Sequence, residues 1–152
     1  MLSGQDNITL DDTGRIALPR RLRDALKEEK VVLTFGPNSC LWLFTMEQWK
    51  VQEEVIIRTT NPFTKNARLM RQYFIGSKEE LTIDKQGRIL IPPPLREHAE
   101  LTKECKIFGQ VEYWEIWSVD RYKAYLEASK SDLDAGFEEL GAEIERRKQG
   151  NG

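Results

Sequence analysis

Two short segments of this chain carry the same chemically distinctive residues at the same spacing: Asp11-Asp12-Thr13-Gly14-Arg15 and Asp84-Lys85-Gln86-Gly87-Arg88, each followed by three residues and a proline. A short acidic side chain can accept hydrogen bonds from the amides of a turn. Gly14 and Gly87 can take the positive φ that tight hairpin connections need. Strand alternation beyond the turn then puts Arg15 and Ala17 on one face, with Ile16 and Leu18 on the other. Arg88 and Leu90 oppose Ile89 and Ile91 in the same way. Each arginine therefore leaves the core beside a turn tip. A guanidinium fork matches phosphate oxygens and the guanine edge bidentately. The chemistry these residues suit is recognition of nucleic acid, with Arg15 and Arg88 as contacts. Asp11 and Asp84 are too acidic to face phosphate and are expected to hold the turns or the arginines. One such segment alone reads as a polar hairpin turn.

The two segments belong to an internal repeat with a constant offset of 73 positions. Thr9–Pro19 matches Thr82–Pro92, Leu22 and Arg23 match Leu95 and Arg96, and Phe35-Gly36 matches Phe108-Gly109 without a gap. Leu43-Phe44 matches Ile116-Trp117, and Trp49 matches Tyr122. Two copies are too few for a solenoid, so the repeat predicts a pseudo-two-fold domain.

The elements that must position the arginines follow from pattern. Strands are predicted at Thr9–Leu10 and Arg15–Leu18, then a helix over Arg20–Lys27 behind Pro19. A second hairpin is predicted from Val31–Phe35 and Cys40–Phe44, then a helix capped by Thr45 and running to about Ile57. The second copy repeats this order with strands at Leu81–Asp84, Arg88–Ile91, Cys105–Phe108 and Trp114–Trp117. Ser118 is expected to cap a last helix from Val119 to about Lys148, which Gly136 and Gly141 could interrupt. Between the copies, Phe63, Ala67, Met70 and Phe74 recur at helical spacing and predict an amphipathic helix with Lys65, Arg68 and Arg71 outward. About forty residues is marginal for an independent core, so the copies should share one core, with strands interlocked between them. The segmentation predicted is 5–52 for the first repeat, 53–77 for the connecting basic segment, 78–124 for the second repeat and 125–152 for the last helix and tail.

Composition narrows the function classes. With 39% hydrophobic and 32% charged residues over 152 positions, the chain is an ordinary folded domain. No apolar run approaches the roughly 20 residues of a membrane helix, and the start, Met1–Asn7, has no signal-peptide pattern. A cytoplasmic location is expected. The net charge of −2 conceals an asymmetry: residues 1–78 are net +3 and residues 79–152 net −5. Arg58–Lys78 contains five bases and no acid, while Asp132–Glu145 contains six acids and no base. Two cysteines outside any Cys-x-x-Cys pair and a single histidine, His98, are too few for a zinc site. Cys40 and Cys105 read as small apolar residues in or beside strands. No phosphate loop and no nucleophile–base set is present. No catalytic residue, metal, cofactor or small-molecule ligand is expected. His98 reads as a surface helix residue, and Trp114, Trp117, Tyr122 and Tyr125 as core or subunit interface.

The doubled Asp-x-x-Gly-Arg-Ile-x-(apolar)-Pro motif, with about seventy residues between its copies, resembles the MraZ family. The likeness runs from about Thr9 to the last helix. It implies an α+β fold: a pseudo-two-fold, swapped-hairpin, AbrB-like β-barrel with peripheral helices. It also implies a sequence-specific DNA-binding transcriptional regulator, a repressor, acting on repeated promoter elements of the division and cell-wall gene cluster, its own promoter included. The partners implied are double-stranded DNA and the chain itself, in ring-shaped homo-oligomers of the octamer class, associated with the nucleoid. The family's DNA-contacting arginine carries over to Arg15 and Arg88. The family commonly has a lysine beside this motif; the second copy has Lys85 there, whereas the first has Asp12. Arg20, Arg21 and Arg23 stand either as a solvated helix face or as bases that compensate for it. An AbrB-like antitoxin or interaction module, with the acidic C-terminal segment as partner-binding tail, is the alternative reading.

Overall fold

The computed structural model describes residues 2–26 and 29–151, so the expected end of the first helix at Lys27 lies outside the described residues. The chain divides into two compact units, Met1–Val119 and Asp120–Gly152. In order, the first contains β1 (Gln5–Thr9), β2 (Arg15–Ala17), α1 (Arg20–Ala25), β3 (Lys30–Gly36), β4 (Cys40–Thr45), α2 (Met46–Thr59), α3 (Lys65–Phe74), β5 (Glu79–Thr82), β6 (Arg88–Leu90), α4 (Pro93–His98), β7 (Glu104–Gly109) and β8 (Trp114–Ser118). The helices α5 (Val119–Ala128) and α6 (Lys130–Gly150) follow. Within α5–α6 the break falls at Ser129, whereas Gly136 and Gly141 lie inside α6. A helical glycine costs only about 1 kcal/mol relative to alanine, which α6 tolerates.

The strands of the two copies pair with each other. One sheet has six strands in the order β1-β7-β8-β4-β3-β5, and a separate ribbon is formed by β2 and β6. In the ribbon Ile16 faces Ile89, with Arg15 opposite Leu90 and Arg88 opposite Ala17. In the sheet Trp42 faces Glu115, with Leu41 opposite Ile116 and Leu43 opposite Trp114. Ile16/Ile89 and Trp42/Glu115 are each 73 positions apart, so these two pairs sit on the pseudo-dyad that the repeat implies. The expected first hairpin is splayed. Beyond the single bridge between Leu10 and Ile16, β1 leaves to pair with β7. Isolated two-stranded hairpins are marginal in water, and each strand gains more by laddering onto the other copy.

The expected barrel is corrected to an open antiparallel sheet. Its edges, β1 and β5, are symmetry mates at opposite ends of the strand order, and no ladder joins them. The repeat register also slips once. Thr45 and Ser118 are 73 positions apart, but their strand partners Val31 and Cys105 are 74 apart. The second copy therefore has one extra residue ahead of β7 and one fewer in the connection to β8. The gapless match of Phe35 to Phe108 seen in sequence does not hold in space.

A single core serves both copies. Ile16, Leu18, Leu22, Val31, Leu33, Leu41 and Leu43 pack with Ile89, Ile91, Leu95, Ile107, Trp114 and Ile116. On the opposite face of β3 and β4, Val32, Phe44 and Trp49 form a second cluster with Trp42 and Tyr113. Of the four aromatics grouped from sequence, Trp114 and Trp117 are buried, Tyr122 is half-buried and Tyr125 is exposed. Both cysteines are buried free thiols. Burial pushes the Cys105 thiol up to about 11 and also raises that of Cys40.

The connecting segment differs from its sequence pattern. Thr45 caps α2 by accepting from Gln48 N at 3.0 Å, as expected, but α2 runs on to Thr59. Arg71 does not face outward. Its guanidinium donates to Ile57 O at 3.0 Å and Thr60 O at 2.9 Å, at the end of α2, where carbonyls lack intrahelical partners. Phe63 precedes α3 and is 90% exposed.

His98 is likewise a correction: it is half-buried, not a surface residue. Its ring stacks on Phe35 at 3.9 Å between centroids, and its Nε2 lies 3.0 Å from Tyr73 Oη, which donates to Gly36 O. Burial holds its pKa below the ordinary 6.5, the larger effect, while the contact of its own Nε2 with Gly36 O at 3.5 Å acts the other way. The unfolded chain then binds the proton more readily than the folded one. Stability from this group is present above the unfolded value near 6.5 and is lost as pH falls through it. Urea melts between pH 7.5 and 5 should show this loss, and His98→Gln should flatten it; an unchanged pH dependence in the variant would assign the effect to other groups.

Candidate nucleic-acid interface

The two turns are built alike. Asp11 Oδ1 accepts from Thr13 N at 2.9 Å, Thr13 Oγ1 at 2.6 Å and Arg15 N at 2.9 Å. Asp84 Oδ1 accepts from Gln86 N at 2.9 Å and Arg88 N at 2.8 Å. Gly14 and Gly87 take φ of 86° and 77°, values that L side chains rarely adopt. Each tip is tied to the other copy: Leu18 N donates to Gly87 O and Ile91 N to Gly14 O, both at 2.9 Å. The turns hold both carboxylates below the usual range. At Asp11 the Thr13 hydroxyl is the main cause, and at Asp84 the Arg88 amide. Both are thus ionised at neutral pH and occupied by the turn.

The ribbon register puts Arg15, Ala17, Arg88 and Leu90 on one outward face. Arg15 and Arg88 are diagonal neighbours across it, about 7–8 Å apart at the backbone. That is close to two base-pair rises of about 3.4 Å each. The copies differ in how their arginines are held. Arg88 Nε donates to Asp84 Oδ2 at 3.0 Å, and its Nη1 lies 3.9 Å from Asp11 Oδ2. Both carboxylates therefore lean toward Arg88. The Arg15 side chain takes no hydrogen bond or ion pair among the described residues. The first tip, which sequence made the weaker because of Asp12, presents the less neutralised guanidinium.

The other bases predicted from sequence divide. Lys85, Arg20 and Arg23 are exposed. Arg23 lies against Gly87 of the second copy, so its own helix α1 serves the opposite tip. Arg21 is occupied elsewhere: its Nε donates to Asp6 Oδ2 and its Nη1 to Ser3 O, each at 2.8 Å, fastening the start of the chain to α1. Arg96 was missed. Its guanidinium lies against Gly14, where a Cβ would stand 2.7 Å from Nη1, and its buried Nε has no hydrogen-bond partner among the described residues. The repeat held the signal, since Arg96 is the match of Arg23. Each tip thus carries its own arginine and one from the other copy's helix.

Such a pair of trans-braced turns on one pseudo-symmetric α+β unit defines a protein with a duplicated turn motif and one shared core. The family model described as "MraZ protein, putative antitoxin-like" matches residues 1–72 and 74–142. The chain is 37% identical over 140 residues to the Transcriptional regulator MraZ of Treponema denticola, covering 92% of this chain and 97% of that one. It is 40% identical over 138 residues to the protein of the same name from Treponema pallidum (strain Nichols), with 91% and 93% covered. With that from Caldanaerobacter subterraneus it shares 40% over 146 residues, with 95% and 97% covered. The chain belongs to the MraZ family. No helix among the described residues is long and apolar enough to cross a membrane.

Proposed function

We propose that this chain is a transcriptional regulator that binds double-stranded DNA through the outward face of the β2–β6 ribbon. It acts in the cytoplasm, associated with the nucleoid, as a repressor at repeated promoter elements of the division and cell-wall gene cluster, its own promoter among them. The observation that carries this reading is the placement of Arg15 and Arg88 on one exposed face, each beside a turn locked by an ionised aspartate. The two arginines read base edges in the major groove, and Lys85, Arg20, Arg23 and Arg96 contact phosphates on either side. Arg21 serves the fold. One ribbon offers little contact area, so affinity comes from several subunits of a ring-shaped homo-oligomer engaging successive DNA repeats.

Binding by four phosphate contacts releases counterions, so log affinity should fall with log salt at a slope of roughly −4 per subunit. Fluorescence anisotropy on a fragment of the chain's own upstream DNA measures this; a slope near zero would remove the electrostatic basis of the reading. A second reading, an antitoxin-like interaction module, is favoured by the family description and by the acidic run in α6. It predicts that a pull-down with this chain yields a tightly bound basic protein partner.

A further inference from the structure

Each turn aspartate has a second oxygen that its turn does not use. Asp11 and Asp84 both spend Oδ1 on the amides of their own turns. The two Oδ2 atoms converge on one guanidinium: that of Asp84 accepts from Arg88 Nε at 3.0 Å, and that of Asp11 lies 3.9 Å from Arg88 Nη1. A turn of this kind asks only for one oxygen acceptor, which asparagine also supplies. The second oxygen therefore adds something the turn does not need, a negative charge beside an arginine of the ribbon face.

The arrangement is confined to the second copy's arginine. Thr13 Oγ1 adds a third bond to Asp11 Oδ1 at 2.6 Å, and Asp11 turns its other oxygen to Arg88 rather than to Arg15. Two carboxylates about one guanidinium leave that corner of the face net negative. A DNA phosphate carries a full negative charge, so seating one on Arg88 brings it against two like charges. The O6 and N7 acceptors of guanine are neutral and meet no such opposition. The bond at Nε also fixes the plane of the guanidinium before DNA arrives. Both Nη groups are left without a hydrogen bond among the described residues.

We propose that the Oδ2 atoms of Asp84 and Asp11 are specificity determinants at Arg88: they hold its guanidinium for a base edge and turn it away from phosphate, which keeps binding to unrelated DNA weak. This rests on the DNA reading given above and adds how one of its arginines tells bases from backbone. Asp84 acts within its own motif. Asp11 acts in trans, from the first copy's turn to the second copy's arginine, so the pairing of β2 with β6 serves recognition as well as the fold.

Asp84→Asn and Asp11→Asn, singly and together, test it by fluorescence anisotropy on the upstream duplex and on a scrambled one. Asparagine keeps a carbonyl oxygen for the turn amides and replaces Oδ2 with an uncharged donor. Each substitution should tighten binding to the scrambled duplex roughly two- to fivefold. Binding to the upstream duplex should change less, so the ratio of the two affinities falls. In the double variant the salt slope on scrambled DNA should steepen by roughly one, as a phosphate gains access to Arg88. Asp12→Asn is the control. It removes the same charge from the first tip, and the Asp12 side chain has no partner among the described residues, so it should move both duplexes alike. In an Arg88→Ala background the two asparagine substitutions should lose their effect on the ratio, whereas an effect exerted through the turns would persist. An unchanged ratio in the asparagine variants, or a fall in the ratio that survives Arg88→Ala, overturns the proposal while leaving the DNA reading untouched. A parent chain with no preference for the upstream duplex removes the DNA reading itself, and this inference with it.

Discussion

Replacing both Arg15 and Arg88 with alanine should abolish sequence-specific DNA binding while leaving the fold and the assembly state intact. A bidentate arginine–base contact contributes about 1–3 kcal/mol of discrimination. Losing two should weaken binding to the cognate site roughly thirty-fold to ten-thousand-fold, with little change on unrelated DNA. The two positions are not equivalent. Arg88 is already shared between Asp84 and Asp11, so part of its charge is compensated before DNA arrives. Arg15 is not held in this way, and Arg15→Ala should be the more damaging single change. Gel shifts with cognate and scrambled duplexes, read beside size exclusion, measure both effects. Cognate affinity retained by the double variant would take the recognition role away from these arginines.

The largest loss of stability should come from the residues on the pseudo-dyad. Ile16 and Ile89 face each other across the ribbon and both are 0% exposed. Truncating either to alanine removes three buried carbons and opens a cavity against the other, a change that costs about 2–5 kcal/mol. For a unit of this size that is a fall in melting temperature of about 6–15 °C. The two single variants should agree closely, because the dyad gives both residues the same surroundings. The double variant should lose less than the sum, since the two cavities merge. Leu90→Ala, on the outward face of the same ribbon, should change stability by less than about 0.5 kcal/mol. Unequal losses at Ile16 and Ile89 would show that the ribbon is not the symmetric centre of the core.

The parts of this protein legible in its sequence are those fixed by local geometry. Asp11, Gly14, Asp84 and Gly87 specify their turns within five residues, and the side-chain alternation of β2 and β6 follows from the strand period alone. Strand pairing was legible only as interlocking. The repeat implied shared strands, but hydrophobic pattern does not say which strand takes which neighbour, so the ladder of β1 on β7 and the open sheet edge needed coordinates. The slip at β7 was hidden because Phe35-Gly36 and Phe108-Gly109 match by residue type and not by position. His98 and Arg71 were misplaced for one reason: each is defined by a partner distant in sequence, Phe35 and Tyr73 for His98, and the end of α2 for Arg71. Arg96 was readable from the repeat. Its place beside Gly14 was not, because it depends on one copy's helix crossing to the other copy's turn.

Hydrogen exchange of the chain with and without its own upstream DNA tests most directly whether both turns form the recognition surface. Bound DNA should slow exchange in the peptides covering residues 11–18 and 84–91 together, and leave those covering 130–150 unchanged. Slowing confined to other segments, with both turns exchanging as in the free protein, would contradict the account.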